Sequence, residues 1–168
     1  MQKIINLYKQ LFFLQISPEA LPYSRSLLWG CISTYFVMNV VIFALTGKFL
    51  LLSNVLAHAA SICLSIAFIY IALKIQNAQV RLHKILLAIF SVDLFFLILS
   101  WLMQPLNINV QLILAFICML WSLSIKTHIF SKGFTLNTFG AMVSMLVFEF
   151  IRHLPTLVLI WPYFIQQS

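Results

Sequence analysis

The chain alternates between long apolar runs and short polar segments. Five runs are candidates for membrane spans, because crossing a hydrocarbon core of about 30 Å takes about 20 mostly apolar residues. They cover 27–45, 49–73, 85–103, 109–125 and 137–163. The segments between them are short: "TGK", "KIQNAQVRLHK", "QPLNI" and "KTHIFSKGFTL". Connections of this length place consecutive helices side by side and antiparallel. The pattern therefore predicts an all-α membrane protein. Residues 27–168 form a bundle of five transmembrane helices, and residues 1–26 are a separate N-terminal region.

Within 1–26, the stretch "QKIINLYKQLFFLQ" is too short and too polar to span. Ile4, Leu7, Tyr8, Leu11 and Leu14 recur at helical spacing, while Lys3, Asn6, Lys9 and Gln10 lie off that stripe. This predicts an amphipathic helix in the membrane interface, its lysines toward anionic headgroups at the cytoplasmic face. The alternative is a helix packed on the cytosolic face of the protein itself. Next, "SPEALPYSRS" predicts a redirecting turn. Ser17 can cap it, Pro18 suits its first position and Glu19 its first turn. Pro22 keeps Leu21 out of the helical region, and Ser24 or Ser26 can start the next helix. No cleavable leader is expected: Lys9 and Gln10 interrupt the apolar stretch, and Pro18 and Glu19 stand where a small-residue cleavage site would be. The fifth run holds Glu149, Arg152, His153 and Pro155 before "TLVLIWPYF". It reads either as one long kinked span or as a span ending near Arg152 with the tail folded back.

Composition excludes the soluble alternative. Hydrophobic residues make up 63% and charged residues 8%, against about 25% charged in an ordinary soluble domain. The net charge of +7 comes from ten Lys and Arg against three acids. These bases are spread thinly between apolar runs, which points to anchoring on an anionic leaflet and not to nucleic acid. Eight of them fall in the N-terminal region and the second and fourth connections: Lys3, Lys9, Arg25, Lys74, Arg81, Lys84, Lys126 and Lys132. The first connection has Lys48 alone and the third has none. The asymmetry predicts a cytoplasmic N-terminus and a C-terminus outside. Trp29 and Trp121 fall near the inner interface on this reading, Trp101 and Trp161 near the outer one. Cys31, Cys63 and Cys118 each sit inside an apolar run with no CxxC pattern, so they read as small hydrophobes.

Ionisable and amide side chains inside spans are the candidate functional residues. They are Asp93, His58, Asn54, Asn39, Glu149, Arg152 and His153. At about 1.5 Å per residue, Asp93 lies roughly 13–14 Å from the inner boundary, and His58 and Glu149 roughly 24–25 Å from it. His58 and Glu149 could therefore meet, whereas Asp93 needs a tilt or another partner. Asp93 reads either as a proton or cation relay or as a protonated hydrogen-bonding group between helices. Glu149 and Arg152, at i and i+3, can pair on one helix face. His58 reads as an interhelical hydrogen bonder. The chain has no GxSxG, HExxH, glycine-rich phosphate loop or zinc-like spacing. No catalytic, metal-binding or cofactor-binding residue is expected, and the protein is not expected to be an enzyme.

Three stretches carry a family resemblance: "LPYSRSLL", "SVDLFF" and "LWSLSIKTHIF". With Leu21, Pro22 and Ser24, then Asp93, then Trp121, Ser122, Leu123, His128 and Ile129, the chain resembles a family of small bacterial inner-membrane proteins of uncharacterised activity. The resemblance implies an inner-membrane location and carries no catalytic residue. The five-span plan is distantly similar to Yip1-like membrane proteins. The leading expectation is a non-enzymatic scaffold, assembly or membrane-organisation factor, in contact with the bilayer and with another membrane protein. The alternative is a minimal transporter or proton-coupled carrier using Asp93.

Overall fold

The computed structural model describes residues 2–45 and 51–159. Their regular structure is helical: α1 (Gln2–Phe12), α2 (Arg25–Leu45), α3 (Leu51–Ile75), α4 (Leu82–Leu102), α5 (Ile108–Gly133) and α6 (Thr138–Leu159). Helices α2 to α6 are each long and apolar enough to cross a membrane. The protein is a multi-pass helical membrane protein. The first connection, with Lys48, and the tail with Trp161 lie outside the described residues, as does the choice between a full span and a fold-back beyond Leu159. Within the described part, α6 continues through Pro155, which lacks the N–H that would bond the Ile151 carbonyl.

The five long helices close into a ring in the order α2, α3, α6, α5, α4. Chain order does not dictate this arrangement. Consecutive α3 and α4 pack only weakly on each other, and the main neighbour of α3 is α6. Residues 76–81, with a 3₁₀ turn at Gln79–Arg81, are long enough to carry the chain across the ring. The largest departure from the expected spans is α5. It does not stop at Ile125 but continues two turns to Gly133, taking in Lys126.

One end of the ring gathers the starts of α2, α4 and α6 and the ends of α3 and α5, with Arg25, Lys74, Arg81, Lys84 and Lys132; we call it the basic end. The core fills this half of the bundle. Residues 85–90 of α4 are buried, as are Ile125, Ile129 and Phe130 of α5. Phe148 of α6 packs its ring 5.4 Å from Phe130 and 5.6 Å from Phe68. Toward the other end the packing loosens, and the first half of α5 turns Leu112, Ile113, Phe116 and Ile117 outward.

The polar turn locks the basic end. Ser17 Oγ accepts from the Glu19 amide at 3.3 Å, capping the 3₁₀ turn Pro18–Ala20. Glu19 pairs with Arg81 at 2.9 Å, and Lys84 donates to the Glu19 carbonyl at 2.5 Å. Arg81 also reaches the Gly133 carbonyl at 3.3 Å. A Cβ at Gly133 would stand 2.8 Å from the Ile85 side chain, so a larger residue here would have to displace it. Ser24 then caps α2 through the Leu27 amide.

Helix α1 is the amphipathic N-terminal helix, and Leu7, Tyr8, Leu11 and Phe12 of its apolar face pack on the bundle. Leu11 is fully buried, while Asn6, Lys9 and Gln10 face outward. The Phe12 ring lies 4.6 Å from Phe95, and Trp121 Nε1 donates to the Phe12 carbonyl at 3.3 Å. The Tyr8 hydroxyl meets Ser91 at 3.3 Å. Phe95 is thirteen residues into α4, so the end of α1 reaches roughly 20 Å along the bundle. Residues 13–16 then bring the chain back, and His128 bonds the Ile16 carbonyl at 3.2 Å.

Candidate functional site

A lone charge in hydrocarbon is costly, so acids and bases on spanning helices face one another where the fold permits. Here the ring brings them into one continuous chain above the apolar core. It starts at Tyr35 of α2, whose hydroxyl accepts from Arg152 Nη2 at 2.8 Å. Arg152 Nη1 donates to Asp93 Oδ2 of α4. Lys126 Nζ of α5 contacts Asp93 Oδ1 at 2.7 Å and Glu149 Oε1 of α6 at 2.5 Å. His153 Nε2, one turn beyond, lies 3.5 Å from Glu149 Oε2. Four of the five ring helices contribute, and α6 contributes three side chains.

The chain is charge-balanced, with two carboxylates against one lysine and one arginine. Exposure is graded along it. Arg152, Asp93 and Lys126 side chains are 4%, 7% and 8% exposed, Glu149 17% and His153 62%. The Arg152 guanidinium also sits 5.3 Å from the Tyr35 ring centroid and 5.9 Å from that of Phe90. Aromatic faces so placed stabilise a desolvated cation. The Tyr35 end is closed and the His153 end is open.

Three expectations change. Lys126 is not a loop base at the headgroups; it is the buried cation that links Asp93 to Glu149. Arg152 does not pair with Glu149 at i+3; it turns to Asp93 and Tyr35, leaving Glu149 to Lys126 and His153. Asp93 finds its partners not in His58 or Glu149 but in two basic side chains, Lys126 and Arg152. One cause underlies all three. A helix does not end at a lysine whose charge is compensated inside the bundle. Two signals in the sequence pointed this way: "IKTHIF" keeps apolar residues beyond Lys126, and Arg152 alone cannot balance Asp93 and Glu149. Tyr35 carried no such signal.

The remaining candidates stay apart from the chain. Asn39 donates to its own helix at the Tyr35 carbonyl, 2.8 Å away. Asn54 lies buried on α3, its Oδ1 without a hydrogen-bond partner among the described residues, as is Ser61 Oγ. His58, on the same helix, has Arg152 and His153 as electrostatic neighbours. The three cysteines are free thiols. Among the described residues, no three of His, Cys, Asp and Glu gather as metal ligands would.

Where α5 splays from α4 and α6, a cavity of about 410 Å³ runs from the charge chain toward the end opposite the basic one. Phe96, Met103, Cys118 and Met119 are among its walls, and Lys126, Glu149 and His153 form its polar floor. It opens sideways between helices. No protein-family model, no curated protein and no solved structure matches the chain.

Proposed function

We propose that this protein is a non-enzymatic scaffold or membrane-organisation factor of the bacterial inner membrane, acting through lipid and protein contacts. The observation that carries this reading is the enclosure of Asp93. Its carboxylate lies between Lys126 and Arg152 inside the helix ring, where it serves to hold helices together. A relay group that loads and releases protons or ions needs a water path, and the Asp93 side chain is 7% exposed. The basic end, with Arg25, Lys74, Arg81, Lys84 and Lys132, faces the anionic cytoplasmic leaflet on this reading. Two measurements test it together. Cross-linking in native membranes should give a defined, saturable partner, lipid or protein. Proteoliposomes given a proton gradient should show no flux above protein-free vesicles. A flux that vanishes in Glu149→Gln would replace the scaffold with a carrier. The carrier stands second because one feature favours it: the sideways cavity that reaches Glu149.

A further inference from the structure

We propose that the cavity between α4, α5 and α6 is a binding site for hydrophobic organic cations, with Glu149 as its anionic anchor. The site binds such a cation whether the protein moves it or only holds it.

The walls set the body of the ligand. The space of about 410 Å³ is lined mainly by apolar side chains, including Phe96, Met103 and Met119. An aromatic ring and polarisable thioethers suit a bulky, weakly hydrated group and add cation–π attraction. The floor sets its charge. Lys126 already contacts two carboxylate oxygens, at 2.7 and 2.5 Å, and is 8% exposed. An incoming anion would find that cation compensated and would meet Glu149 beside it. Glu149 is different. Its Oε1 is bound to Lys126, while among the described residues its Oε2 has the long 3.5 Å contact from His153, and both Glu149 and His153 line the cavity. A carboxylate oxygen accepts about two hydrogen bonds, so Oε2 has capacity left over. His153 is 62% exposed and can swing aside without orphaning itself. A hydrophobic cation entering from the bilayer places its charge at this oxygen and its body along Phe96 and the methionines.

The test uses the whole chain in nanodiscs, with tetraphenylphosphonium as the probe and its equally shaped anion tetraphenylborate as the control. Binding is read by equilibrium dialysis, and independently by protection of Cys118 from a thiol reagent in a Cys31→Ser, Cys63→Ser background. The phosphonium should bind saturably, with one site per chain, and should slow Cys118 labelling. Tetraphenylborate should do neither beyond its partition into protein-free nanodiscs. Glu149→Gln should weaken phosphonium binding by about tenfold or more, since it removes a charged partner. Ala115→Trp fills the cavity from its wall without touching the charge chain, and should abolish binding while the protein melts as the parent does. It decides the matter if Glu149→Gln does not fold. Equal saturable binding of both ions, no saturable binding of the phosphonium, or unchanged binding in Ala115→Trp would overturn the proposal.

Discussion

Asp93 shows how a buried charge is held at the residue scale. It has two cations, and the four-charge set is neutral as a whole. Asp93→Asn keeps shape but leaves Lys126 and Arg152 against Glu149 alone. Breaking a buried pair from one side costs about 3–5 kcal/mol, because the surviving charge is uncompensated. The variant should melt well below the parent in detergent. Lys126→Met in the same chain restores neutrality by leaving Glu149 with Arg152, so the double variant should recover much of the loss. A double variant no more stable than Asp93→Asn would mean that packing, not charge balance, sets the cost. The site was partly legible at this scale. Asp93, Glu149, Arg152 and His153 stand out because ionisable residues are rare in spans. Their pairing was not legible, since helical spacing reports neighbours on one helix and these partners sit on different ones. Lys126 was hidden by its position at the edge of an apolar run, where a lysine ordinarily marks the headgroups.

The long helices were plain at the scale of elements, because an uninterrupted apolar run has one stable form in a bilayer: a helix that satisfies its own backbone. Their ends were less plain. Three helices close on non-glycine residues with positive φ: Leu14 at 61°, Asn77 at 54° and Thr135 at 53°. Each is followed by an amide that bonds back five residues: Gln15 to Gln10, Ala78 to Leu73 and Leu136 to Ser131. This is the glycine-type helix stop without the glycine. Nothing in "GFTLNT" or "FFLQIS" announces it. Asn tolerates the left-handed region, whereas a β-branched Thr does not. Thr135→Gly should therefore stabilise the protein by about 1 kcal/mol, while Asn77→Gly should change it by a few tenths. Thermal melts of the two variants side by side check this. The reverse order would mean that the Thr135 side chain makes contacts that offset its strain.

For the whole molecule, the ring order and the basic end together carry the proposed orientation in the membrane. Five antiparallel helices put the starts of α2, α4 and α6 at one end, and that is where the bases cluster. Removing Lys126 from the loop count leaves the asymmetry intact. The bases at this end are also tied into structure: Arg81 and Lys84 clamp the turn at Glu19, so they cannot drift across the bilayer independently. Basic residues near short connections set orientation because they are retained on the cytoplasmic side. A reporter that is active only outside the cytoplasm should thus be silent when inserted at 76–80, between α3 and α4. It should be active when inserted at 104–106, between α4 and α5, and when fused after Ser168. A reporter that is active only inside should give the opposite set. Glu19 tests whether the clamp or the charge count governs. Glu19→Lys breaks its pair with Arg81 but adds a base to the same end, so orientation should hold while stability falls. Inverted reporters in that variant would assign the orientation to the folded turn, and inverted reporters in the parent would reverse the molecule altogether.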